Sequence, residues 1–241
     1  MKLSQIATAG CAALALAGCQ KVDDAAFGKR VHDYIIAHPE VIQEAAQKLQ
    51  EKQAAASAKA ATDAIAKYRA QIERDPRDIV INPNGKVTVV EFFDYRCAYC
   101  KLAAPEVIKL IEQNPDIRFV FKQFPIFGEV SDTAAKVALT PAAKGKALQL
   151  YKTWMAEKAL DDAILDRDLL AAGVDPAQAR KAAADPAIAR QILDTRAMAT
   201  SLKIEGTPAF IVGDTLIPGA DLEALRTAIR VAKDGGLKTP G

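Results

Sequence analysis

Hydrophobic and polar positions along the chain predict a leader, a helical extension and an α/β domain. Leu3 to Gly18 is an apolar, Ala-rich run preceded by Lys2 and followed by the polar stretch from Gln20 to Asp24. It is too short to span a bilayer comfortably, so residues 1–18 read as an export signal rather than a fold element. Phe27, Val31, Tyr34 and Ile35 then form a helical stripe that stops at His38, because Pro39 disfavours helix in the residue before it. Pro39 suits the start of a second helix, Glu40 to Arg74, about 50 Å long at the usual rise per residue. Its apolar face is thin: Ile42, Ala45, Leu49, Ala56, Ile65, Tyr68 and Ile72. A lone helix of this kind either packs on the domain or associates with copies of itself. Heptad spacing is not kept strictly, so no regular coiled coil follows. Self-association is the expectation, with a solvated spacer as the alternative.

Asp75-Pro76-Arg77-Asp78 breaks the helix and sets the expected domain boundary, leaving residues 19–75 as tether and 76–241 as domain. Ile79–Ile81, Val87–Phe93 and Ile117–Gln123 are β-branched and aromatic runs that predict strands. Between the last two, Leu102, Val107, Leu110 and Ile111 give a helix over Lys101–Gln113, and strand, helix, strand makes a βαβ unit with a parallel pair. Residues 131–202 are helical and Ala-rich, punctuated by Pro141, Gly145, Gly173, Pro176 and Pro186, which predicts short helices inserted into the domain. Ala209–Val212, Gly213-Asp214 and Thr215–Ile217 read as a hairpin, and Asp221–Lys233 as a last amphipathic helix.

Half of the 241 residues are hydrophobic, enough for a real core, and 32 basic residues against 30 acidic ones leave no basic patch for nucleic acid. The leader's end, Leu16-Ala17-Gly18-Cys19, resembles the lipobox of bacterial lipoproteins, which implies acylation of Cys19 and a membrane anchor. An ordinary signal peptide cut near Ala13-Leu14-Ala15 is the alternative. Gln20 in place of Asp after the cysteine implies the outer membrane for lipoproteins of this kind. Of the four cysteines, Cys11 leaves with the leader and Cys19 is capped, so Cys97 and Cys100 remain as an isolated C-x-x-C pair. Both fall where a strand runs into a helix N-terminus. Unpaired N–H groups and the positive end of the helix dipole there stabilise a thiolate.

The chain from Ile79 to Lys233 resembles the thioredoxin superfamily, and the helical insert resembles DsbA-type exported thiol–disulfide oxidoreductases. The motif Cys97 to Pro105, CAYCKLAAP, Glu91 before it and Thr207-Pro208 opening the hairpin carry the resemblance. Phe27 to Ala45 resembles the N-terminal region of the ScsC subgroup, linked to copper tolerance and, in some members, to oligomerisation. The resemblance implies an exposed nucleophilic Cys97 that forms a mixed disulfide and a Cys100 that resolves it. It also implies a buried Glu91 that shuttles the Cys100 proton, a cis Pro208 facing the cysteines, and a Thr207 backbone that pairs with an extended substrate. Strict alternation puts Glu91 on the side of Val89 and Phe93, and so inward. Lys122 is either its charge partner or a solvated residue at a strand edge. Ala98 and Tyr99 supply no positive charge, which implies a weaker oxidant than relatives with histidine there and leans the reading toward reduction or isomerisation. Trp154 and Met155 read as core.

The expectation is therefore an α/β thioredoxin fold with an inserted helical subdomain and a helical N-terminal extension, with no cofactor and no metal. It faces the periplasm on a lipid anchor, acts on cysteines of exported proteins, and exchanges electrons with a membrane redox partner. A monomeric dithiol oxidase and a Cu(I)-binding module are the alternatives, since two soft thiolates can hold Cu(I).

Overall fold

Residues 24–235 are described by a computed structural model; the leader, Cys11 and the expected acylation site Cys19 lie outside them. Contacts divide the chain into one unit ending at Ala55 and a second beginning at Ala56. In the first, α1 (Asp24–Ala37) buries no residue, and Phe27, Val31, Tyr34 and Ile36 stand exposed. Helix α2 (Glu40–Glu73) begins here, with Ile42 and Leu49 also exposed.

The second unit starts earlier than expected. Its core includes Ile65 and Ile72, so the last turns of α2 belong to the α/β domain and the boundary lies near Ala56 rather than Asp75. The physical reason is burial: two isoleucines seven residues apart share one helix face and fill the space over the sheet. Cations from a strand then satisfy the carbonyls that α2 leaves open at its end. Arg118 Nη1 donates to Glu73 O at 2.7 Å and Lys122 Nζ to Gln71 O at 2.6 Å.

Strands β1 (Ile79–Ile81), β2 (Val87–Phe93) and β3 (Ile117–Gln123) match the sequence reading, with α3 (Ala98–Gln113) between the last two. The helix begins three residues before the predicted Lys101. Strands β4 (Ala209–Val212) and β5 (Thr215–Pro218) complete a five-stranded sheet of order β1-β3-β2-β4-β5, with β2 and β3 parallel and the other neighbours antiparallel. At Gly85 a Cβ would meet Arg118 N at 2.3 Å, so only glycine lets the turn before β2 approach β3 this closely.

The insert comprises α4 (Glu129–Ala138), α5 (Pro141–Lys144), α6 (Ala147–Ala156), α7 (Asp162–Ala171), α8 (Pro176–Ala183) and α9 (Pro186–Ser201). Asp161, Asp175 and Asp185 cap α7, α8 and α9 through their carboxylates. Asp221 does the same for α10 (Leu222–Lys233). One sheet face carries Val89, Phe93 and Phe121 with α3, α10 and most of the insert. The other carries Val90, Phe92 and Val120 with Ile65 and Ile72 of α2 and Ala199 of α9. The sheet is thus the middle of three layers, and the C-terminal end of β2 delivers Cys97.

Candidate active site

Cys97 occupies the N-cap position of α3 with an extended backbone (φ −68°, ψ 122°) and no side-chain cap. The first-turn N–H groups therefore face its sulfur instead of a capping oxygen. Its thiol donates to Thr207 O at 3.1 Å, across the Thr207–Pro208 bond, which is cis. Contrary to expectation, Cys97 is not exposed: only 2% of its surface is accessible, because the Thr207–Pro208 loop closes over it. The accessible groups are its neighbours, Tyr99 at 65% and Leu102 at 68%. Cys100, one helical turn deeper, is completely buried, and both cysteines are free thiols.

The two thiols diverge electrostatically. Cys97 falls from 9.0 to about 6, chiefly because the Cys100 thiol donates to it. The Thr207 side chain and the backbone N–H groups of Cys100 and Tyr99 add to this against the opposing cost of burial. Thr207 Oγ1 is buried and makes no hydrogen bond that meets normal geometry, so its proton is free for a sulfur anion. Cys100 is pushed far up, first by burial, then by holding its proton for Cys97 and by the nearby Glu91. A nucleophile ionised at neutral pH thus sits against a partner that keeps its proton.

Glu91 is fully buried, between Phe121 of β3 and Phe210 of β4 in register. Burial pushes its carboxyl up to about 8, with the Tyr151 hydroxyl opposing and the Cys97 charge adding. Tyr151 Oη of α6 donates to both carboxyl oxygens, at 3.2 and 3.1 Å. Lys122 is not the partner, nor is it solvated: it aligns with Phe92, so its side chain leaves by the opposite face of the sheet. There it is buried and pairs with Asp78.

Two site residues escaped the sequence reading. Asp94, buried at the end of β2, accepts from Arg96 N at 2.7 Å and Ser131 Oγ at 2.8 Å through one oxygen. Through the other it accepts from Ile126 N at 2.7 Å and Phe127 N at 3.1 Å. It ties the cysteine loop, the loop after β3 and the start of α4 together. Tyr151 sits in an aromatic cluster with Phe93, Tyr95 and Phe121, ring centroids 5.3, 6.5 and 4.8 Å away. Trp154 and Met155 are core, as read, and Lys101 closes the end of α6 by donating to Trp154 O and Glu157 O. Among the described residues, no group of three or more His, Cys, Asp or Glu side chains is placed to hold a metal ion.

A dithiol pair at a helix start, facing a cis-proline loop over a mixed sheet, defines a thioredoxin-fold protein with an inserted helical subdomain. Residues 88–230 match the DSBA-like thioredoxin domain, and the chain belongs to that family. Residues 23–56 match the N-terminal domain of the copper resistance protein ScsC. BcfH from Salmonella enterica Typhimurium superposes with TM-score 0.68 at 32% identity, covering 87% of this chain and 96% of that one. ScsC from Proteus mirabilis in a compact conformation gives TM-score 0.64 at 26% identity, covering 89% and 100%. The Na(+)/H(+) antiporter NhaA 3 of Salinispora tropica is 30% identical over 167 residues, 66% of this chain and 25% of its own length. The chain thus spans about a quarter of that curated relative. Among the described residues, no helix is long and apolar enough to cross a membrane.

Proposed function

We propose that Cys97 and Cys100 exchange disulfides with cysteine-containing exported proteins, working mainly as a reductase and isomerase. The Cys97 thiolate attacks one sulfur of a client disulfide, and the other client sulfur leaves as a thiolate. Cys100 then loses its proton to Glu91, attacks the Cys97 sulfur and releases the second client thiolate. The client disulfide has gained two electrons and the protein holds a Cys97–Cys100 disulfide. A membrane redox partner returns the pair to the dithiol; isomerisation needs only the first attack and its reversal at another client sulfur. Thr207 supplies backbone for an extended client segment, and Pro208 keeps that backbone against Cys97.

The observation that carries this reading is the placement of Cys97: its sulfur sits at the start of α3, 3.1 Å from Thr207 O on the cis-proline loop, with the buried Cys100 one turn behind it. Insulin reduction and refolding of a scrambled-disulfide protein test it. Both activities are expected and both vanish in Cys97→Ser. Oxidation without isomerisation supports a monomeric oxidase instead, and tight Cu(I) binding without either activity overturns the enzyme reading.

Anchoring and assembly complete the proposal. Acylation of Cys19 places the domain in the periplasm, on the outer membrane; palmitate labelling that survives Cys19→Ala refutes this. The exposed Phe27, Val31, Tyr34, Ile36, Ile42 and Leu49 support self-association through the N-terminal helices, since apolar side chains on that scale favour a partner. Removing residues 20–55 should turn an oligomer into a monomer on sizing. The cut stops before Ala56 because Ile65 and Ile72 belong to the core.

A further inference from the structure

Three cavities of about 330, 270 and 310 Å³ meet around one residue of the sheet edge, Leu216. The first begins at Thr207 and Pro208, where Cys97 is bonded, and runs past Leu216 and Pro218. The other two continue it between β5 and a face of α2 made of Ser57, Ala58 and Ala61, residues too small to fill the space. All three are lined mainly by apolar surface.

Among the described residues, β5 is the last strand of the sheet and pairs only with β4. The two-residue turn makes Val212 and Thr215 a hydrogen-bonded pair. By alternation the next residue, Leu216, points its N–H and C=O away from β4, into the trough. An open strand edge beside adjoining, mainly apolar cavities accepts an added strand. We infer that the client polypeptide, an extended unfolded segment with apolar residues flanking its cysteine, leaves the Thr207–Pro208 loop and lies along this trough. There it pairs with Leu216 of β5 and packs its side chains on the small face of α2. The occupant follows from continuity, because the trough opens directly onto the loop that touches the reactive sulfur. This rests on the disulfide-exchange reading above, and it makes α2 a wall of the client site as well as an extension.

The test traps the complex. Full-length Cys100→Ala protein is reacted with a short extended peptide carrying one activated cysteine, and amide hydrogen exchange is followed in the mixed disulfide. Exchange at Leu216 slows at least about tenfold, as for a newly paired edge amide. A mixed disulfide with Leu216 unprotected overturns the trough alone; no mixed disulfide at all overturns the exchange reading beneath it. A second arm compares Ser57→Trp with Ala66→Trp, an exposed α2 position outside all three cavities. Ser57→Trp slows reduction of an unfolded disulfide protein about tenfold while exchange with glutathione stays at the wild-type rate, and Ala66→Trp leaves both unchanged. Equal rates for Ser57→Trp and wild type on the unfolded protein overturn the proposal.

Discussion

Replacing Glu91 by Gln tests the buried carboxyl through stability as well as rate. Its fold-induced rise from 4.5 to about 8 comes chiefly from burial. Below pH 4.5 the folded and unfolded chains both hold the proton, so the group changes nothing. As pH rises, the unfolded chain ionises while the buried carboxyl does not, and stability falls by about 1.4 kcal/mol per pH unit. The loss levels off above pH 8 at about 5 kcal/mol. Glu91→Gln cannot ionise, so it removes this slope. Its amide carries two N–H donors with only the Tyr151 hydroxyl at hand to accept, which costs about 1 to 3 kcal/mol at every pH and leaves the slope as the informative quantity. The depressed Cys97 works the other way, adding stability as pH rises, but it is present in both proteins. Urea unfolding of reduced wild type and variant at pH 5, 6.5 and 8 should therefore give a difference that grows in favour of the variant. Resolution of the mixed disulfide by Cys100 should slow about 100-fold, the lower range for a lost general base. Parallel pH profiles for the two proteins would refute the buried-carboxyl argument.

Further outcomes follow from the same geometry. Alkylation of Cys97 in the reduced protein should titrate near pH 6 rather than near the usual 8.5, and Cys100→Ala should move the midpoint upward because the largest stabilising bond is lost. Asp94→Ala removes the acceptor of four hydrogen bonds and should cost about 3 to 5 kcal/mol in urea unfolding. Lys122→Met strands Asp78 in the core and should cost about 3 to 5 kcal/mol at pH 7. Asp78 is already raised to about 6 by burial, so the penalty should shrink at pH 5, where the carboxyl takes a proton. Adding Asp78→Leu to Lys122→Met should recover most of the stability; no recovery would mean that the pair matters through shape alone.

Strands, hairpin and terminal helix were legible because alternation and turn residues are local signals. Glu91 was legible for the same reason, since pleat parity with Val89 and Phe93 fixes its side. Lys122 was misplaced because its side depends on how β3 aligns with β2, and that register puts Phe121, not Lys122, beside Glu91. Asp94 and Tyr151 escaped because, Arg96 N apart, their partners lie 32 to 60 residues away and are brought in only by the tertiary fold. The stripe on α2 was visible, yet nothing local says that Ile65 and Ile72 face a sheet while Ile42 and Leu49 face solvent.

The anchoring of the α2 terminus by Arg118 and Lys122 limits how this protein can be cut or recombined. A fragment that starts where the thioredoxin match starts would carry two cationic side chains stripped of their carbonyl acceptors and an uncovered layer of Val90, Phe92 and Val120. Chimeras that swap the catalytic half between relatives should therefore inherit the final helical turns along with it, or emerge insoluble.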